Sequence, residues 1–223
     1  MAMTEIDFFS SSAPRSAHAR KAKIARFVFD PTKRADFLAY GHAYFDDPDY
    51  GVGYGSYRYD GRYADSARRM IEFYKLAPGS KVLEIGCAKG FVLYEFLKHG
   101  MEVNGIDLSA YAVANALPEV RNRVAVGSAH RLPWDDRLFD FVYSKETLPH
   151  LTIEQIRQAI SEAMRVCRST NIFLEIQVAE ESEARDLFLT WDETHQTIEG
   201  ASWWRALLYE MGFPGQVNFK ALF

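Results

Sequence analysis

From about residue 63 the chain alternates short apolar runs with longer stretches of helical period. Val82–Ile85 and the runs near 103–106, 124–126, 139–143 and 171–178 read as strands, and helical patterns follow near 91–97, 110–116, 153–167 and 182–190. Ile156, Ala159, Ile160, Ala163, Met164 and Cys167 recur at the spacing of one buried helix face. A helix over Tyr63–Leu76 leads through Ala77-Pro78-Gly79-Ser80 into the first strand, and another near Ser202–Met211 stops at Gly212, ahead of a last strand over Val217–Phe223. This alternation predicts an α/β architecture: a doubly wound, mostly parallel sheet with helices on both faces.

Residues 1–62 break the pattern. The first 25 are polar and rich in Ser, Ala and Arg, the reading of a mobile or weakly helical arm that is basic over Arg15–Arg26. Between Tyr40 and Tyr63, Tyr44, Tyr50, Tyr54, Tyr57, Tyr59 and Tyr63 alternate with Gly51, Gly53, Gly55 and Gly61, which describes a loop with aromatic arms on glycine hinges. The expected organisation is an N-terminal cap or lid over 1–62 and one domain over 63–223.

The stretch with most chemical content is Val82-Leu83-Glu84-Ile85-Gly86-Cys87-Ala88-Lys89-Gly90, a strand and tight turn opening the helix at Phe91. Gly86 and Gly90 let backbone approach a ligand, and Glu84 offers an acceptor where phosphate would be repelled. The expected ligand is therefore a nucleoside with a cationic, zwitterionic tail and no phosphate. About 20 residues on, Val103-Asn104-Gly105-Ile106-Asp107-Leu108-Ser109 ends a second strand in an acid suited to ribose hydroxyls.

These residues resemble the first two motifs of class I S-adenosylmethionine-dependent methyltransferases. Val124-Ala125-Val126-Gly127-Ser128-Ala129-His130 is similar to the family's adenine-edge motif, and Phe139-Asp140-Phe141-Val142-Tyr143-Ser144 to its fourth strand. The resemblance implies a Rossmann-like fold, S-adenosylmethionine as cofactor with S-adenosylhomocysteine as product, and a cofactor site at Glu84, Gly86, Cys87, Gly90, Asp107, Leu108, Ser128, Ala129, His130 and Ser144. Ala88 stands where the family often has glycine, and Ser128 where it commonly has an acid. Tyr54 joins the set as a lid residue whose π-face can meet a sulfonium, and Arg62 as a partner for the cofactor's carboxylate or, equally, for Asp60 or Asp65. The family usually closes its sheet with two strands after the last helix. Here one is visible, so the second comes from elsewhere or is missing, and Thr190–Ile198 is either that strand or an active-site loop.

His150, after the fourth strand, is the first candidate for a general base, and Glu193 and His195 in Trp191-Asp192-Glu193-Thr194-His195 are candidates to orient the acceptor or share that role. Glu146 and His150 also resemble two metal ligands of the ubiquinone-biosynthesis O-methyltransferases at Glu-x-x-Glu-His. Pro149 replaces the middle carboxylate, and no metal is expected. Trp203 and Trp204 are helix neighbours, so only one can face the core fully.

The chain has 223 residues, 48% hydrophobic and 25% charged, with a formal net charge of −4. That suits one domain with a full core and gives no general attraction to nucleic acid. No Asn/Asp-Pro-Pro-aromatic clamp follows the fourth strand. Two distant cysteines suggest neither a disulfide scaffold nor a zinc site, and the absence of long apolar runs argues against a membrane span. The expectation is a cytoplasmic monomer or homodimer that methylates oxygen or nitrogen of a small, polar, sugar-like or natural-product acceptor. A protein or RNA acceptor, or non-catalytic cofactor binding, are the alternatives.

Overall fold

In the computed structural model, residues 3–12, 17–27, 30–50 and 52–221 are described. Gly51, Arg15 and the end of the last expected strand, Leu222 and Phe223, lie outside them. Seven strands form one sheet: β1 (Thr4–Glu5), β2 (Lys81–Ile85), β3 (Glu102–Asp107), β4 (Val124–Val126), β5 (Phe141–Lys145), β6 (Ile172–Val178) and β7 (Gln216–Ala221). Their order is β1-β7-β6-β5-β2-β3-β4, and every pairing is parallel. The helices are α1 (Ala17–Ile24), α2 (Pro31–Leu38), α3 (His42–Phe45), α4 (Ala64–Tyr74), α5 (Phe91–Lys98), α6 (Ala110–Ala114), α7 (Ile153–Val166), α8 (Ser182–Trp191) and α9 (Ala201–Glu210).

Side chains alternate across the strands, so each face of the sheet buries its own core. Leu83, Ile85, Val142, Leu174 and Ile176 pack with α7 and α9, where Trp204 is fully buried and Trp203 only partly. Val82, Val103, Phe141, Tyr143 and Phe173 pack with α4 and α5 on the other side. Thr152 begins α7 as half of a capping box with Gln155, which fixes where the chain leaves the sheet.

The missing edge strand comes from the N-terminus. Thr4 and Glu5 pair with Gln216 and Val217, and Phe8 and Phe9 are buried against Phe173, Tyr74 and Tyr63. This corrects the expectation of a mobile arm for residues 3–12: two phenylalanines supply enough apolar burial to dock it. Thr190–Ile198 is not a strand; it ends α8 and continues as a loop. Another helix, α2, is set by Asp30, whose carboxylate accepts from Thr32 N at 2.9 Å ahead of Pro31.

The Tyr/Gly segment is a packed cap rather than an open loop. Phe37, Tyr44, Phe45, Tyr50 and Trp191 form a separate core with Tyr54 and Tyr57 against it. Polar bonds tie it to the sheet: Lys89 Nζ to Asp46 at 2.6 Å, Tyr111 Oη to Asp46 at 2.7 Å, and Ser109 Oγ to the Tyr40 carbonyl at 2.6 Å. Among the described residues, no helix is long and apolar enough to cross a membrane.

Candidate functional site

The strand order reverses between β2 and β5, and in open parallel sheets a crevice forms at such a switch beyond the strands' C-terminal ends. A cavity of about 600 Å³ lies there, lined by the loops after β2, β3, β4 and β5. Gly86 turns at φ +77°, where a Cβ would stand 2.0 Å from Thr147 Oγ1, and Gly90 opens α5 at φ +73°. Ala88 between them is also left-handed, at φ +47°. Asp107 holds this turn, accepting from Ala88 N at 2.7 Å and Ser109 N at 2.8 Å, and burial pushes its carboxyl up. Leu108, Ser128, Ala129 and His130 continue the wall, with Ser128 Oγ 2.7 Å from His130 Nδ1.

Glu84, Cys87, Gly90 and Ser144, expected at the cofactor, line neither this cavity nor the one beside it. Glu84 pairs in register with Tyr143 on the α5 face, and burial pushes its carboxyl up to about 8. Cys87 is buried among apolar neighbours, and Ser144 Oγ donates to the Ile85 carbonyl at 2.9 Å. Within a strand the pleat turns alternate side chains into the helix layers.

A second cavity, of about 490 Å³, adjoins the first, and Tyr44, Tyr54, Lys145, Glu146 and His150 line both. Arg62 lines only the second, held in a fork by Asp60 with Nε–Oδ1 at 2.9 Å, so the expected grip on a cofactor carboxylate gives way to the local ion pair. Glu193 lines only the first and pairs with Arg34 at 2.8 Å.

His150 ends a short helical turn after β5, and the 192–197 loop is strapped across it: Gln196 N and Thr197 N both donate to the Pro149 carbonyl, at 2.9 and 3.0 Å. This brings His150 Nδ1 within 2.8 Å of Thr194 Oγ1, which donates to Asp192 Oδ1 at 2.5 Å. Tyr44 Oη donates to Asp192 Oδ2 at 2.7 Å. Burial alone would raise Asp192, but His195, His150, Thr194 and Tyr44 overcome it and hold the carboxyl below its usual range. An ionised carboxylate only accepts, so the threonine hydrogen is committed to Asp192 and His150 must donate from Nδ1. That leaves Nε2 without a hydrogen-bond partner among the described residues, on a ring lining both cavities. Burial, and then the His195 ring stacked at 4.2 Å, push His150 down to about 4.

His195 is itself buried, with Nδ1 3.0 Å from the Asp192 carbonyl and Nε2 2.8 Å from Gln177 Oε1. Gln177 donates to Glu146 at 3.1 Å, and Glu146 is bound by Lys145 and Lys220. Ligand atoms of His150, Asp192 and His195 lie within 4.8 Å of one another, close enough to share a cation. Both His195 nitrogens and both Asp192 oxygens are engaged with protein groups, and Glu146 is held by lysines, so the donor set is that of a hydrogen-bonded relay.

Thr194, Gln177 and Lys220 escaped the sequence reading as site residues. One signal was available: Glu175 and Gln177 interrupt β6, a strand buried along its whole length.

Residues 83–174 match the family model described as a methyltransferase domain. Over that stretch, about two fifths of its length, the chain is similar to a methyltransferase domain. It is similar to 24-methylenesterol C-methyltransferase 3 of Arabidopsis thaliana, 26% identical over 57% of this chain and 36% of that protein. It is also similar to phosphoethanolamine N-methyltransferase 1 of Zea mays, 35% identical over 40% of this chain and 19% of that protein. The chain thus matches about a third or less of these relatives' own length. The fold is shared with an S-adenosylmethionine-dependent methyltransferase from Archaeoglobus fulgidus, at a TM-score of 0.56 and 20% identity over 82% of this chain and 74% of that one.

Proposed function

We propose that this chain uses S-adenosylmethionine to methylate an oxygen or nitrogen of a small polar acceptor, without a metal. The observation that carries the reading is the shared wall: a nucleoside-sized cavity and an acceptor-sized one meet at a histidine with a bare ring nitrogen. The first cavity fits the cofactor's parts. Asp107 keeps lone pairs for ribose hydroxyls beyond its two loop bonds, and Ser128, Ala129 and His130 would border the adenine.

When bound, S-adenosylmethionine supplies an electrophilic methyl group on a sulfonium leaving group. The chain's own part is to align, to exclude water and to accept a proton. His150 takes the acceptor's proton at Nε2, while Thr194 and Asp192 hold the tautomer. Tyr44 and Tyr54, from the cap, close the junction against solvent.

Calorimetric titration with S-adenosylmethionine, S-adenosylhomocysteine and NAD, with EDTA present, tests the first half. The expected result is micromolar binding of the first two and none of NAD. Absence of binding to either sulfur compound sinks the proposal. Binding with no methyl transfer to a broad acceptor panel favours a non-catalytic role.

A further inference from the structure

The second cavity has two chemically different sides. Tyr44, Tyr54 and Tyr57 form a continuous row of rings on its cap side, with centroids 5.6 and 4.4 Å apart, and Tyr63 and Trp191 line it as well. On the sheet side stand Lys145, Glu146, Gln177 and Lys220, at or just past the ends of β5, β6 and β7. The charges there are matched within the sheet: Lys145 pairs with Glu146 at 3.0 Å and Glu175 at 3.5 Å, and Lys220 pairs with the same two carboxylates. This floor therefore calls for no charged ligand, and the rings favour one with a flat apolar face.

From these two sides and the placement of His150 we infer that the acceptor is a neutral hydroxylated aromatic ring, methylated at a phenolic oxygen. The inference rests on the acceptor role proposed above for that cavity. His150 lines the same cavity as the row of tyrosines, with its hydrogen held at Nδ1 by Thr194 and Asp192. An amine attacks with its own lone pair and leaves such a base idle, whereas a hydroxyl acceptor uses it. The strength of the base then chooses among hydroxyls. Burial and the neighbouring His195 push His150 down to about 4. A phenol ionises near about 10, as tyrosine does, while an alkyl hydroxyl lies toward the value of about 15.7 for water, so the mismatch with the base roughly doubles from phenol to alcohol. The step balances. The phenol proton passes to His150 Nε2, and the oxygen bonds the methyl carbon as the carbon–sulfur bond breaks and its electron pair stays on sulfur. The products are the methyl ether and S-adenosylhomocysteine, and the imidazolium returns its proton to water.

The test titrates the protein, saturated with S-adenosylhomocysteine, with resorcinol and separately with cyclohexane-1,3-diol, which carries the same two hydroxyls on a saturated ring, as a sugar-like alcohol does. Resorcinol should bind at least about tenfold tighter than the diol. Tyr57→Leu, at a residue lining the second cavity and not the first, should weaken resorcinol roughly tenfold while S-adenosylhomocysteine still binds. No saturation by about 10 mM resorcinol, equal or tighter binding of the diol, or equal affinity in the folded variant overturns the inference. The wild-type pair decides alone if Tyr57→Leu does not fold. With S-adenosylmethionine supplied instead, resorcinol should give its monomethyl ether and the diol none; an ether of the diol overturns the inference. Selective resorcinol binding without transfer supports the aromatic ligand and defeats the catalytic role proposed above. Failure of S-adenosylhomocysteine to bind defeats the cofactor reading, and the two titrations of the free protein then still decide the ligand class.

Discussion

Glu84→Gln should change how stability depends on pH. The Glu84 carboxyl is 3% exposed, faces Tyr143 under α5, and has an oxygen, Oε2, without a hydrogen-bond partner among the described residues. Burial moves its titration from 4.5 to about 8. In the unfolded chain it ionises near 4.5, so between these values the folded state holds a proton that the unfolded state has lost. Stability tied to this group is complete below pH 4.5 and is lost as pH rises to 8. At about 1.4 kcal/mol per pH unit the loss comes to roughly 5 kcal/mol, large against a domain's usual 5–15. Glutamine cannot ionise, although its buried amide costs about 1–3 kcal/mol at every pH. The decisive quantity is thus the slope. Urea unfolding of both proteins at pH 5, 7 and 9 should show the wild type falling by several kcal/mol more than the variant across that range, with the variant the more stable at pH 9. Parallel pH profiles would refute the assignment of a neutral, trapped carboxyl to this position.

Asp107→Asn should weaken S-adenosylhomocysteine binding by about 1–3 kcal/mol in calorimetry, through loss of charge-assisted ribose bonds and a looser Ala88 turn. His150 should show no titration near 6.5: with its folded value about 4, the unfolded chain takes up a proton that the folded chain refuses, and stability drops by about 3 kcal/mol as pH falls from 6.5 to 4. His150→Phe should abolish that part of the acid loss in denaturation curves. Thr194→Val removes the acceptor for His150 Nδ1, and imidazole nitrogen NMR should show the hydrogen leaving Nδ1, with turnover falling and cofactor affinity kept. Phe8→Ala should cost about 3–5 kcal/mol, read as faster hydrogen exchange along β7.

Much of the fold was legible because each strand is a short apolar run bounded by turn residues, and the helix between β5 and β6 keeps a clean buried stripe. Asp107, the last residue of β3, and Ser128, Ala129 and His130, just past β4, stand out in sequence as strand-end residues, and all four line the first cavity. Glu84 and Ser144, one residue earlier in their strands, have side chains that the pleat points into a helix layer, which proximity in sequence does not reveal. Composition hid the docking of residues 3–12: a two-residue strand has no period, and Phe8 and Phe9 sit in an otherwise polar stretch. The Asp192–Thr194–His150 relay joins groups from two loops about 40 residues apart in sequence, and their meeting depends on backbone bonds to the Pro149 carbonyl that no local pattern encodes.

The pairing of β1 with β7 also orders events in time. Thr4 and Glu5 can find Gln216 and Val217 only once roughly 200 intervening residues exist. During synthesis the other strands can assemble while β1 waits, and the far edge of the sheet stays open until β7 emerges. Contacts of such separation form late and slowly. A chain halted before β7 therefore leaves an unpaired strand edge on β6 and a β1 segment with no strand to pair with, features by which quality-control machinery can tell an unfinished product from a finished one.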